Sequence, residues 1–253
     1  MTNLVQTKLD VRIYEDRKSM GAAASEKFAK EVTALLKTKD EINVVFAAAP
    51  SQNEFLAALD DENLDWSRVN AFHMDEYIGL AADAPQGFGN FLKHRLFDKF
   101  NFKSVNYLNG NADDIAAECD RYTALLNQHK VDMVCMGIGE NGHLAFNDPP
   151  VADFEDKHTV KVVELDEVCR QQQVNDGCFA TLDEVPKEAL TLTIPALLSA
   201  TYINCVVPGP TKAEAVKNTL QAEISTENPA TILRNHSNAV LFLDRDSSHL
   251  LNL

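Results

Sequence analysis

A chain of 253 residues with 45% apolar and 24% charged residues has the balance of a globular protein able to bury a sizeable core, which excludes a disordered or fibrous chain. Its formal net charge of −15 argues against nucleic acid or an anionic membrane as partner. No apolar run reaches the roughly 20 residues of a membrane span, and Met1 to Asp10 is too polar for a secretory leader. The five cysteines, Cys119, Cys135, Cys169, Cys178 and Cys205, show no CxxC spacing and read as free thiols. One domain spanning residues 1–253 and a cytoplasmic location are expected.

In chain order, short apolar runs alternate with helical patterns. Asp10 to Glu15 reads as a strand and Ser19 to Lys37 as a helix with Met20, Ala24, Phe28, Val32 and Leu35 on one face. Ile42 to Ala49 is a second strand, Ser51 opens a helix to about Leu59, and Val69 to Met74 is the next strand. Amphipathic helices follow at Phe88 to Phe100 and at Asp114 to Lys130. Val131 to Met136 is a core strand, Leu190 to Ile194 another, and Pro195 suits the first position of a helix over Ala196 to Ala200. Tyr202 to Val207 is a strand and Thr211 to Leu220 a helix. A short helix from Pro229 to Asn235, a strand from Ala239 to Asp244 and a final turn close the chain. This alternation predicts an α/β fold: a Rossmann-like open, mostly parallel sheet with helices on both faces. Residues 81–89 and 151–158 are the longest irregular stretches and the best lid candidates.

The loop after Met136, Gly137-Ile138-Gly139-Glu140-Asn141-Gly142-His143-Leu144-Ala145-Phe146-Asn147-Asp148-Pro149-Pro150, holds three glycines, a histidine and acids. Glycines so dense point to positive-φ turns or to backbone that must approach a ligand. Asp148 lies close enough to set the tautomer of His143, which makes the pair an acid/base unit. The plainer reading is a turn with a surface histidine. A second loop of similar character, Ala71 to Leu80, weighs against it.

In an open parallel sheet, ligands bind beyond the carboxyl ends of the strands. Ser51, Asp75, His143 and Lys212 each follow a strand and therefore project to one edge. Each has a plain alternative. Asp75-Glu76 suits a solvated turn, His73 with Asp75 suits a pair of metal ligands, and Arg170 in Cys169-Arg170-Gln171-Gln172-Gln173 suits a helix surface. No third ligand at metal-like spacing accompanies His73, so no metal is expected. Lys212 could be a first-turn lysine capped by Thr211, but a cation near a helix N-terminus opposes the macrodipole unless an anion sits between them.

The sequence His73-Met74-Asp75-Glu76-Tyr77, together with the loop from Gly137 to Pro149, resembles the two signature motifs of the glucosamine-6-phosphate deaminase/isomerase family. The likeness continues through Val185-Pro186, Ala189-Leu190-Thr191 and Gly209 to Lys212. Phosphogluconolactonases share the fold, but the continuation His143 to Pro149 is similar to the deaminases. The resemblance implies a Rossmann-like fold and a hydrolase/isomerase of amino-sugar metabolism. Such an enzyme converts glucosamine 6-phosphate or galactosamine 6-phosphate to ketose phosphate and ammonia, with no cofactor. It assigns Asp75 as the base moving a proton between C1 and C2 and His143 as the group that opens the ring, oriented by Asp148 and Asn141. Lys212 would contact phosphate, with Ser51, Gln52, Gly137 and Arg170 as further substrate contacts.

Three positions depart from the family pattern. Asn141 replaces an acid, Asp148 stands where some members have Glu, and Pro50-Ser51-Gln52-Asn53-Glu54 replaces a glycine-rich phosphate loop. Glu54 is expected to repel a phosphate bound there. A related aldose–ketose isomerase for a different or unphosphorylated sugar is the second reading, and a sugar-sensing binding protein the third. The expected partner is a small sugar phosphate, with self-association into a homo-oligomer left open.

Overall fold

The computed structural model describes residues 9–251, so the expectation for Met1 to Asp10 lies almost wholly outside the described residues. The strands in chain order are β1 (Asp10–Tyr14), β2 (Ile42–Phe46), β3 (Val69–His73), β4 (Asp75–Tyr77), β5 (Ser104–Asn106), β6 (Met133–Met136), β7 (Val160–Glu164), β8 (Glu188–Leu192), β9 (Tyr202–Val207) and β10 (Ala239–Asp244). Seven form one sheet in the order β1-β10-β9-β6-β2-β3-β5, and every neighbouring pair in it is parallel. The remaining three make a small antiparallel sheet, β4-β8-β7. The helices are α1 (Arg17–Leu35), α2 (Asn53–Ala58), α3 (Phe88–Leu92), α4 (Ile115–Gln128), α5 (Glu167–Asn175), α6 (Ile194–Leu198), α7 (Ala213–Gln221) and α8 (Arg245–Ser248). No helix among the described residues is long and apolar enough to cross a membrane.

The central strands β2, β3, β6 and β10 are buried along their whole length, as near-continuous apolar runs must be when helices cover both faces of a parallel sheet. One face packs Phe28, Phe46, Phe55 and Trp66, and the other packs Phe72, Tyr122, Val134 and Leu241. Helix α1 starts earlier than its apolar stripe suggests because Asp16 caps it. The Asp16 side chain accepts from Ser19 N at 2.7 Å, while the Ser19 hydroxyl accepts from Asp16 N at 3.3 Å.

Near the amino ends of four strands runs a rung of polar side chains. The Asn43 N–H donates to Asp132 Oδ2 at 3.0 Å, Asn70 Nδ2 donates to Asn43 Oδ1 at 3.0 Å, and the Ser104 hydroxyl donates to Asn70 Oδ1 at 2.7 Å. Lys39 closes the rung by pairing with Asp132.

The chain runs outward from β2 to β3 and β5, then returns to place β6 on the opposite side of β2 and continues to β9. This reversal opens a crevice between β2 and β6 at their carboxyl ends. Several elements differ from expectation. Strand β2 stops at Phe46, so Ala47 to Ala49 are loop, and Phe88 to Phe100 is a short α-helix continued by a π-helical turn over Lys93–Phe97. The antiparallel sheet was not foreseen, because its strands pair residues far apart in the chain and β4 has only three residues. That sheet matters for the site, since it pairs Asp75 with Thr191.

Candidate active site

The crevice holds a cavity of about 510 Å³, counted with its open mouth. Ser51 and Gln52 after β2, Asp75 after β3, Gly137 and His143 after β6, and Lys212 after β9 all line it. The expectation that Ser51, Asp75, His143 and Lys212 project to one sheet edge holds in the geometry.

The histidine loop is fixed from several sides. Gly142 turns at a φ of +86° and Ala145, a non-glycine residue, at 51°. Asn147 Nδ2 donates to Leu144 O and Leu192 O, each at 2.8 Å, and the Phe146 N–H donates to Thr191 Oγ1 at 3.1 Å. Because Thr191 also stands opposite Asp75, strand β8 braces the acid's strand and the histidine's loop against each other. His143 Nδ1 lies 2.8 Å from Asn141 Oδ1 and 2.9 Å from Asp148 Oδ1, and Asn141 Nδ2 donates to that same Asp148 oxygen at 2.9 Å. Two acceptors at Nδ1 place the proton there and leave Nε2 for the cavity. Burial pushes Asp148 up, but the charge and hydrogen bond of His143, with a further bond from Asn141, outweigh it and hold the carboxyl below its usual range.

Asp75 is buried, and desolvation together with the neighbouring Glu76 raises its pKa well above that of an ordinary aspartate. His73 fixes the backbone beneath it. The Leu108 N–H donates to His73 Nε2 at 2.9 Å, so the proton sits on Nδ1, which donates to Asp75 O at 2.9 Å. Both ring nitrogens are thus committed, and the reading of His73 with Asp75 as metal ligands falls. Burial lowers the His73 pKa to about 4 and keeps the ring neutral. Glu76 turns away and holds the 81–89 segment by its far end, accepting from the N–H groups of Phe88 at 3.0 Å and Gly89 at 2.8 Å.

Spacing did not reveal a different donor set, His143, Asp148 and Cys169, whose ligand-type atoms lie within 4.8 Å of one another. The Nδ1 to Oδ1 separation of 2.9 Å is that of a hydrogen bond, and burial pushes the Cys169 thiol well above its ordinary pKa.

The opposite end of the cavity suits an anion. Lys212 is buried and forms no ion pair among the described residues, and desolvation pulls its pKa down against the attraction of Asp176 and Glu140. Gln173 from α5 faces the same space, and Gln52 is anchored by Nε2 donating to Val206 O at 3.3 Å. Two expectations need correction here. Arg170 is not brought to the cavity: its guanidinium donates to Leu182 O at 2.6 Å and Val185 O at 3.0 Å and lines a separate cleft. Glu54 does not line the cavity either: it lies at the contact of α2 with α1, where Arg17 grips both its oxygens at 2.8 and 2.9 Å. Gln173 was missed although helical spacing puts 169, 172 and 173 on the inward face of α5 and 170 beside it.

A family model described as glucosamine-6-phosphate isomerases/6-phosphogluconolactonase matches residues 15–242. The glucosamine-6-phosphate deaminase of Bacillus cytotoxicus is 36% identical over 221 residues, covering 87% of this chain and 82% of the relative. That of Listeria innocua is 34% identical over 229 residues, covering 90% and 96%. A solved monomeric glucosamine-6-phosphate deaminase superposes with a TM-score of 0.83 at 30% identity, covering 96% of this chain and 100% of the other. The 6-phosphogluconolactonase of Thermotoga maritima shares the fold, with a TM-score of 0.75 at 21% identity over 93% of this chain and 99% of its own.

Proposed function

The chain belongs to the glucosamine-6-phosphate isomerase/6-phosphogluconolactonase family, and from that membership we propose that it is an amino-sugar phosphate deaminase/isomerase, working as one catalytic domain. It converts glucosamine 6-phosphate or a close hexosamine phosphate to the ketose phosphate and ammonia. The observation that carries this reading is the placement of two proton-transfer groups, Asp75 and His143, in one cavity with a buried Lys212 that has no ion-pair partner among the described residues.

The substrate phosphate sits against the Lys212 ammonium, with the Gln173 amide and the Ser51 hydroxyl as neutral contacts. The imidazolium form of His143, stabilised by ionised Asp148, gives the Nε2 proton to the ring oxygen. The C1–O bond to that oxygen breaks, and the proton lost from the anomeric hydroxyl returns to Nε2. Asp75 then takes the proton from C2 of the open aldose and delivers it to C1, while a proton passes from the amino group to O1, leaving an imine at C2 and a hydroxyl at C1. Water adds there and ammonia leaves. One water is consumed and one ammonia released, so the step is hydrolytic at nitrogen and isomerising at carbon. A buried carboxylate with a raised pKa takes a carbon-bound proton more readily than an ordinary one, and no cofactor is needed for it.

The relatives' names favour this reading over an unphosphorylated sugar or a sensing protein. A coupled ammonia-release assay with glucosamine 6-phosphate, galactosamine 6-phosphate and free glucosamine tests it. Ammonia should appear with a phosphorylated sugar. Equal turnover of free glucosamine, or ketose formation without ammonia, would overturn the assignment.

A further inference from the structure

Asp148 uses only one of its oxygens on the histidine. Oδ1 meets both His143 Nδ1 and Asn141 Nδ2 at 2.9 Å, whereas Oδ2 is sealed from solvent and has no hydrogen-bond partner of any kind among the described residues as they are placed. A buried charged acceptor left without a donor is costly. Cys169, 1% exposed on the inward face of α5, brings its sulfur within 4.8 Å of the ligand-type atoms of Asp148 and His143.

We propose that Cys169 is a positioning residue whose S–H donates to Asp148 Oδ2, completing a relay from thiol to carboxylate to imidazole. The thiol stays protonated because burial and the adjacent Asp148 charge both oppose the thiolate. Although a weak donor, it is the right one for this place. It fixes the carboxylate against rotation, so that Oδ1 stays on Nδ1, and it draws charge to the far oxygen without competing for the histidine's proton. Helix α5 then serves the site three times over one turn. Cys169 holds the acid, Gln172 Oε1 accepts from the Glu140 N–H of the histidine loop at 2.8 Å, and Gln173 lines the cavity.

The role in turnover rests on the deaminase/isomerase reading, but the hydrogen bond does not, and two readouts separate them. The first is the thiol stretching band of the resting protein, assigned by subtracting Cys169→Ala. It should lie below the bands of the apolar-buried Cys135 and Cys205 and move upward in Asp148→Asn, whatever sugar the protein acts on. The second is kinetic. Cys169→Ala should lower kcat by roughly three- to tenfold, the range of one net hydrogen bond, with KM unchanged because the thiol does not touch substrate. It should also move the acidic limb of the kcat profile to higher pH, since a carboxylate that loses a donor binds its proton more tightly. Cys169→Ser, which keeps a donor, should restore part of both. A Cys169 band at the position of the other buried thiols and indifferent to Asp148→Asn overturns the proposal. So does an unshifted pH profile in a folded Cys169→Ala protein. Failure of the ammonia assay with a responsive thiol band would remove the assigned reaction and leave the relay standing.

Discussion

Gly139 lies so close beneath the imidazole of His143 that a Cβ built on it would sit 2.1 Å from Cε1 and 2.3 Å from each ring nitrogen. No side chain fits there without evicting the ring. Gly139→Ala is therefore expected to lose turnover by roughly 10²- to 10⁴-fold, as if the acid/base group itself were removed, while the far-ultraviolet circular dichroism stays native. Undiminished turnover would show that His143 works from another rotamer.

Asp75→Asn is expected to cost roughly the same factor in turnover and to make the protein more stable at neutral pH. The folded pKa lies above the unfolded one, so the ionised acid disfavours the fold once pH exceeds the ordinary carboxylate value of about 4. Urea unfolding should show the variant ahead of wild type at pH 7 and the gap closing toward pH 4.

His73 carries the reverse linkage. It is neutral in the fold with a pKa of about 4, whereas the unfolded side chain titrates near 6.5. Stability is complete above 6.5 and falls as pH drops toward 4, by up to about 3 kcal/mol. The slope of stability against pH in that window should flatten in His73→Asn, and an unaltered slope would assign the acid sensitivity to other groups.

Lys212→Met is expected to raise KM for a phosphorylated sugar by roughly 10- to 100-fold, the value of a charge-assisted contact, without changing KM for an unphosphorylated one. Removing a desolvated ammonium should also raise the unfolding midpoint. Equal KM changes for both sugars would place the phosphate elsewhere.

Glu54→Gln should leave KM for glucosamine 6-phosphate unaltered, because Arg17 holds the carboxylate outside the cavity. The partly exposed pair contributes at most about 1 kcal/mol. A clear fall in KM would restore the idea that Glu54 repels the substrate's anion.

The elements that were legible in the chain are those whose signal is local. The apolar runs of β2, β3, β6, β9 and β10 and the stripe of α4 are set by burial on both faces or on one, and their order places Asp75, His143 and Lys212 on one edge. What was illegible depends on direction or on distant pairing. Arg170 and Gln173 differ by three positions, and only the rotation of α5 decides which one sees the cavity. Glu54 reads as a charge beside the substrate until α1 is packed against α2 and Arg17 reaches it. The bracket of β4 on β8 joins residues more than a hundred positions apart, and nothing near Asp75 announces it.

The rung from Asp132 through Asn43 and Asn70 to Ser104 lies at the end of the strands away from the cavity, yet it bears on catalytic accuracy. Strands as uniformly buried and largely apolar as β2 and β6 carry little information about alignment, since a slipped pairing buries nearly as much apolar surface as the true one. Slipping one strand by a single residue would move the loop at its far end by about 3.3 Å, enough to separate an acid from the carbon it must deprotonate. The same slip would strand buried amides without partners, so misaligned sheets are eliminated during folding by a penalty at the opposite end of the molecule. The rung acts as a proofreader, and a variant such as Asn70→Val would be expected to fold to a mixture of alignments in which a fraction of molecules is wholly inactive and the remainder fully competent.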